Sequence, residues 1–208
     1  MDSRKRNKNE LGRKTTMKKV FLIGDSVRMG YDKAVRAKLS GEAEVYFTID
    51  NNRFAQYVLR TISDGIIREC DPKSIDVIHW NAGLWDTLRM YGDEPLTPLE
   101  QYVEMLRRVH RQLKILCPNA KQIFATSTPV IERRFPEPER KMRYNRDVVL
   151  YNNTAVALMK ELDVPVDDLY AVASELGEEA WSDQTHLYTD LGTSVLSNAV
   201  TESIRACL

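Results

Sequence analysis

Ser26 follows Gly24 and Asp25 at the end of the apolar run Val20-Phe21-Leu22-Ile23, and Asp183 and His186 lie close together near the far end of the chain. Acyl transfer needs a nucleophile, a base, a group that orients the base, and donors aimed at the developing oxyanion. Ser26 can serve as nucleophile and His186 as the base that takes its proton. Asp183, folded back on the same loop, can accept the imidazole Nδ1–H and fix the tautomer. The order Ser, Asp, His is used by hydrolases built on parallel sheets. Taken alone, each block has a plainer reading: Gly-Asp-Ser recurs by chance, and an Asp-x-x-His pair often caps a helix or sits on a solvated loop. Both in this order, one after the first apolar strand and one before the last helix, point to a triad.

These residues need a frame that brings the two ends of the chain together. Lys19 to Ile23 is a continuous apolar run, as expected of a parallel strand covered on both faces. Helical spacing follows at Tyr31, Val35 and Leu39, and Gly41 stops that helix. Val45 to Ile49 reads as a second strand and Tyr57 to Ile67 as a helix with Val58, Ile62 and Ile66 on one face. Ile75 to Trp80 reads as a third strand. Pro98 to Leu116 is an amphipathic helix whose apolar side carries Leu99, Val103, Leu106, Val109, Leu113 and Leu116, with Pro98 suited to its first turn. Gln122 to Ser127 is a fourth strand, Asp147 to Leu162 a helix, Val164 to Val166 a short fifth strand, and Asp190 to Ala206 a final helix. Between them, Val130 to Arg143 is charged, broken by proline and irregular, a candidate functional loop.

Alternating strands and helices predict an α/β fold, a parallel five-stranded sheet between helical layers, in which ligands bind at the carboxyl ends of the strands. Ser26, Asp50-Asn51-Asn52, Asn81-Ala82-Gly83 and Thr126-Ser127-Thr128 then meet at one edge. The Ser26 N–H, at a helix start, is the first expected oxyanion donor. Further donors are expected at Asn52 and near Asn81 to Gly83, although Asn also closes turns after strands through its own side chain.

Gly24-Asp25-Ser26 and Asp183-Gln184-Thr185-His186 match the first and last blocks of the SGNH hydrolases, or GDSL esterases, and the chain resembles that family from about Lys18 to its end. The resemblance implies a flavodoxin-like three-layer fold and ester hydrolysis through an acyl-enzyme. Two middle blocks depart from it. Where the family's second block supplies a glycine N–H, this chain reads Asp50-Asn51-Asn52-Arg53-Phe54; Asn tolerates left-handed angles, so Asn52 could still present its N–H. The third block, Gly-x-Asn-Asp in the family, reads Asn81-Ala82-Gly83-Leu84-Trp85-Asp86 here. Either Gly83 and Asp86 hold their family positions and Trp85 replaces the asparagine, or the loop shifts and Asn81 takes its role; Asn81 is favoured. The departure also resembles branches of the family that act on acylated carbohydrates, in which case Arg28 and Arg53 would bind substrate hydroxyls or a carboxylate.

Composition narrows the classes further. The 208 residues suit one globular domain from residue 17 onward, with Met1 to Thr16, rich in Lys, Arg and Asn, expected to be a disordered leader or tag. Thirty basic residues balance thirty acidic ones, so no overall field draws the chain to nucleic acid or an anionic membrane. Cys70, Cys117 and Cys207 form neither a disulfide framework nor a zinc pattern and suit a reducing compartment. The first apolar run is shorter than a secretory core of roughly 7–15 residues. A cytoplasmic location is expected, with no metal or organic cofactor required. His79 and His110 fall inside a strand and a helix, as structural residues do. Trp80 and Trp85 are read as packing residues rather than sugar platforms, and the Glu132 to Lys141 charges as a solvated loop with a lid or substrate clamp as the alternative. The reading is a serine esterase for short acyl groups, acetyl first, on a carbohydrate. A thioesterase or lysophospholipase, and a non-catalytic carbohydrate-binding protein, remain as alternatives.

Overall fold

The structure, a computed structural model, describes residues 17–208. The expectation for Met1 to Thr16 lies outside the described residues. Five strands form one parallel sheet: β1 (Lys18–Ile23), β2 (Ala43–Phe47), β3 (Val77–Trp80), β5 (Lys121–Ala125) and β7 (Val166–Asp167). Their order is β2-β1-β3-β5-β7, a flavodoxin-like arrangement in which the chain reverses its direction of travel across the sheet beside β1. A separate two-stranded ribbon pairs β4 (Arg89–Met90) antiparallel with β6 (Lys141–Met142).

Alternation along the buried strands explains why their sequences look uniformly apolar. Val20 and Leu22 of β1 face one helical layer, while Phe21 and Ile23 face the other, and all four are fully buried. The same split divides Val77 from Ile78 on β3, and Ile123 and Ala125 from Phe124 on β5. One layer is built from α1 (Ser26–Lys38), α5 (Leu169–Ser174) and α6 (Asp190–Arg205), with Tyr31, Val35, Leu169, Leu196 and Val200 against the sheet. The other holds α2 (Ala55–Glu69), α3 (Leu99–Leu116) and α4 (Asn145–Glu161), packed through Val58, Ile62, Leu106, Leu113, Ala155 and Met159. Burying a side chain of this size stabilises the fold by about 1.5–3 kcal/mol. These two apolar layers hold the strand ends in register.

Differences from the sequence reading are local. Pro98 is not inside the α3 first turn but immediately precedes it, with extended ψ of 145°. The segment Leu169–Ser174 forms a short helix that its composition does not announce, and its N-terminus is capped by Asp168, which accepts from the Ala171 N–H. Trp80 packs on Phe124 in the core, with ring centroids 4.9 Å apart. His79 bonds Asp167 at 2.9 Å and His110 bonds Gln122 at 3.1 Å, both as buried structural pairs.

Candidate active site

β1 ends at Ile23, and Gly24 then brings the backbone so close to β3 that a Cβ there would lie 1.9 Å from Asn81 Oδ1. Asp25 caps α1 by accepting the Val27 N–H at 3.0 Å. Ser26 is therefore the first residue of the helix, where its N–H has no intrahelical acceptor and the helix dipole favours negative charge. On the opposite side of the cleft, the chain between Trp181 and α6 folds on itself: Ser182 N–H donates to His186 O at 2.8 Å. Asp183 Oδ1 accepts from the Thr185 and His186 N–H groups at 2.6 and 2.8 Å.

This fold-back leaves Asp183 Oδ2 2.7 Å from His186 Nδ1, and His186 Nε2 lies 2.8 Å from Ser26 Oγ. A proton can thus pass from Ser26 Oγ to Nε2 while the carboxylate faces Nδ1. Partial burial pushes the Asp183 carboxyl up, but the bonds from His186 and the two N–H groups outweigh it and hold Asp183 below the usual carboxylate range. Tyr188 supports the arrangement from behind. Its ring stacks on His186 at 4.6 Å between centroids, and its hydroxyl donates to Ser26 O at 2.5 Å. Nothing in the sequence spacing singles out Tyr188.

Of the residues expected to supply the remaining donors, Asn52 is engaged elsewhere. Asn52 is buried, and its N–H donates to Gly24 O at 3.1 Å. Its side chain accepts from the Gly24 N–H at 3.3 Å and from Thr48 at 2.5 Å, and donates to Thr61. Asn52 therefore pins the β2 turn to the nucleophile turn, and its N–H is already taken; the left-handed residue here is Arg53, at φ 47°. Arg53 is exposed, with its guanidinium 4.7 Å from the Tyr57 ring centroid, and does not line the cleft.

Arg28 is a correction of the same kind. It is fully buried, bound to Asp32 at 2.6 Å and to Asp50 O, Thr48 and Gly24 O, so it braces the turns from beneath and cannot reach substrate. Asn81 packs against Gly24, with its N–H bonded to Ile23 O. Gly83, at φ 147°, sits where a Cβ would come within 2.7 Å of Ser127 Oγ and 3.0 Å of Tyr102 Oη. Neither Asn81 nor Gly83 lines the cavity beside Ser26. Asp86 is buried and accepts from the Ala55 N–H at 3.1 Å, capping α2, whose own preceding residue Phe54 offers no side-chain bond. Burial pushes its carboxyl up to about 7.

The cavity beside Ser26 and His186 has a volume of about 470 Å³, within the range of small-molecule sites. Asn51, Gln184 and Thr185 line it near the triad. Leu84, Trp85, Leu88, Phe135 and Pro136 form an apolar wall, and Glu137, Arg140, Lys141 and Arg143 complete it. Trp85 is half-buried there, which places it at the cleft and not in the core. The irregular loop from Val130 to Arg143 is thus part of the cavity wall. It is tied down by the Asn145 side chain, which accepts from the Val130 N–H and donates to Val130 O. Ile131 N–H, bonded to Gln184 O, joins it to the histidine loop. Among the described residues no cluster of His, Cys, Asp or Glu could hold a metal ion.

No family model matches the chain. It is 31% identical over 84 residues to a GDSL esterase/lipase, WDL1, of Oryza sativa subsp. japonica, an alignment covering 38% of this chain and 32% of that protein. The match spans about a third of the curated relative's length. Among solved structures, the acetyl xylan esterase AlAXEase superimposes with a TM-score of 0.69 at 17% identity, covering 89% of this chain and 99% of that one. A GDSL-like lipase from Bacteroides thetaiotaomicron gives a TM-score of 0.70 at 16% identity, covering 92% and 89%. The chain takes the fold of the SGNH, or GDSL, hydrolases and carries their first and last blocks at Gly24-Asp25-Ser26 and Asp183 to His186.

Proposed function

We propose that the protein is a carboxylic ester hydrolase that removes short acyl groups, acetyl first, from a carbohydrate or similarly polar alcohol. The observation that carries this reading is the unbroken hydrogen-bond path from Ser26 Oγ through His186 to Asp183 at the wall of an open cavity. His186 Nε2 takes the hydroxyl proton as Ser26 Oγ attacks the ester carbonyl. The oxyanion forms opposite the Ser26 N–H at the positive end of α1. Collapse expels the alcohol, which receives the proton from His186 and leaves acyl-Ser26. Water, deprotonated by the same imidazole, then releases the carboxylic acid and restores the serine.

A cavity of about 470 Å³ suits a short acyl group with part of its alcohol. The acetyl xylan esterases among the structural neighbours favour an acetylated sugar. Three free thiols agree with action in the cytoplasm. A second reading, a longer acyl chain as in thioesterases or lysophospholipases, draws support from the apolar wall of Leu84, Leu88, Phe135 and Pro136. Hydrolysis of p-nitrophenyl esters from acetate to decanoate separates the two. Turnover greatest with acetate and abolished in Ser26→Ala supports the first. A maximum at eight or ten carbons supports the second, and turnover unchanged in Ser26→Ala overturns both.

A further inference from the structure

Arg143 stands out because it is buried and yet, among the described residues, its terminal nitrogens have no hydrogen-bond partner. The side chain is 8% exposed, and its only acceptor among the described residues is Leu84 O, reached by Nε at 2.5 Å. Among the described residues no carboxylate lies within ion-pair distance of it, although Asp25 and Asp183 act on it from farther away. Its two terminal nitrogens have no hydrogen-bond partner, yet they are not among the sealed, unsatisfied atoms of the interior. Arg143 lines the cavity that holds Ser26 and His186, so these nitrogens open onto the cleft. The guanidinium lies 5.6 Å from the Trp85 ring centroid, which restricts it to one side.

Asp25 and Asp183 favour the charged form of Arg143 from beyond ion-pair distance, and both also serve elsewhere. Asp25 caps α1 through Val27, Asp183 accepts from His186, Thr185 and the His186 imidazole, and Glu137 pairs with Arg140 at 3.0 Å. Burial lowers the Arg143 guanidinium to about 10, so it keeps its proton at neutral pH. Lys141, exposed on the same wall, adds a second positive charge. A buried guanidinium with four free N–H donors in a rigid fork is matched by a carboxylate, which it can bind through two parallel hydrogen bonds.

We propose that Arg143 is a specificity residue that binds a carboxylate on the substrate, so that the preferred esters are acylated carbohydrate acids or other carboxylate-bearing alcohols. This rests on the esterase reading above; because the acyl part is short on that reading, the carboxylate belongs to the alcohol part. Trp85 then flanks the guanidinium, its ring centroid 5.6 Å away. The Nε bond to Leu84 O fixes the fork toward the cleft.

The test uses two acetyl esters of nearly equal shape, 4-acetoxybenzoate and the neutral 4-acetoxybenzamide. The ratio of their kcat/KM values is expected to fall at least tenfold in Arg143→Gln and several-fold in Arg143→Lys, which keeps the charge without the fork. The lysine variant carries the comparison if the glutamine variant does not fold. Equal losses on both esters would overturn the proposal, because they would mean that Arg143 acts on the oxyanion common to every ester or only holds its loop. An unchanged ratio would overturn it as well. Calorimetric binding of 4-acetoxybenzoate and 4-acetoxybenzamide to Ser26→Ala, with and without Arg143→Gln, reads the carboxylate site without turnover. Arg143-dependent preference for the acid there, with no hydrolysis by the native protein, would remove the esterase reading and leave the carboxylate site standing. No preference in binding would remove the site whatever the hydrolysis.

Discussion

The ends of the chain and its middle use their polar side chains in opposite ways. At Gly24 to Ser26 and Asp183 to His186, the Asp25 and Asp183 carboxylates satisfy local N–H groups and leave Ser26 and His186 facing the cleft, where Ser26, His186 and Asp183 meet. In the middle blocks the side chains are consumed: Asn52 binds Gly24, Thr48 and Thr61, Arg28 binds Asp32 and three turn oxygens, and Asp86 caps α2. Polar type and nearness to a strand end therefore do not separate a reactive group from a brace. What separates them is whether the side chain reaches the cleft, as Ser26 and His186 do and Arg28 and Asn52 do not. Arg28 and Arg143 make the point within one residue type, since both are buried but Arg28 is spent on Asp32 and turn oxygens whereas Arg143 lines the cleft.

Substitutions at the ends should alter activity, and substitutions in the middle should alter stability. Asp183→Asn carries the largest of these effects: reversing the donor and acceptor opposite His186 Nδ1 favours the wrong tautomer, and kcat should fall about ten-thousand-fold with the melting temperature nearly unchanged. Arg28→Met leaves Asp32 buried without its cation and should cost about 3–5 kcal/mol of unfolding free energy, read by urea denaturation. Converting Asp32 to Leu in the same chain should recover part of that loss, and a failure to recover would mean that the bonds to the turn carbonyls dominate. Asn52→Ala removes three side-chain bonds and should cost about 1–3 kcal/mol. For a chain of this size that lowers the melting temperature by roughly 2–10 °C. A large loss of kcat with no loss of stability would instead return Asn52 to the reacting centre.

A pH-dependent effect concerns Asp86. Its carboxyl sits at about 7 when folded and near 3.9 when unfolded, so the folded state binds the extra proton between those values. Its contribution to stability is present at low pH and is lost as pH rises toward and through 7. Asp86→Asn should flatten that part of the stability profile measured by urea unfolding between pH 4 and 8. An unaltered slope would assign the dependence to the other buried carboxyls, Asp25 and Asp32, which burial also raises.

Much of this could be read from the sequence, for reasons visible in particular residues. The strands β1, β3 and β5 are buried on both faces, so their apolar runs stand out, and a parallel sheet forces their carboxyl ends to one edge. Ser26 and the Asp183 to His186 loop follow from local geometry, a helix start and a short fold-back, which sequence spacing encodes. The middle blocks were opaque because the same amide can close a turn or face a cleft, and the choice depends on Thr48, Thr61 and Gly24, distant in sequence or silent in type. Arg143 closes an irregular loop full of charges, where one cation looks like the next. Its distinction is that its terminal nitrogens lack a partner among the described residues, which spacing does not record. The ribbon of β4 and β6 has two residues per strand, too few for any period to emerge.

The central claim is that Ser26 is the nucleophile of a working triad. Fluorophosphonate labelling of the native chain and of Ser26→Ala, read by peptide mass spectrometry beside p-nitrophenyl acetate hydrolysis, tests it most directly. One label on the peptide bearing Ser26, with label and turnover both lost in the variant by at least about ten-thousand-fold, is the predicted result. No label on Ser26, or hydrolysis that survives its replacement, would contradict the account.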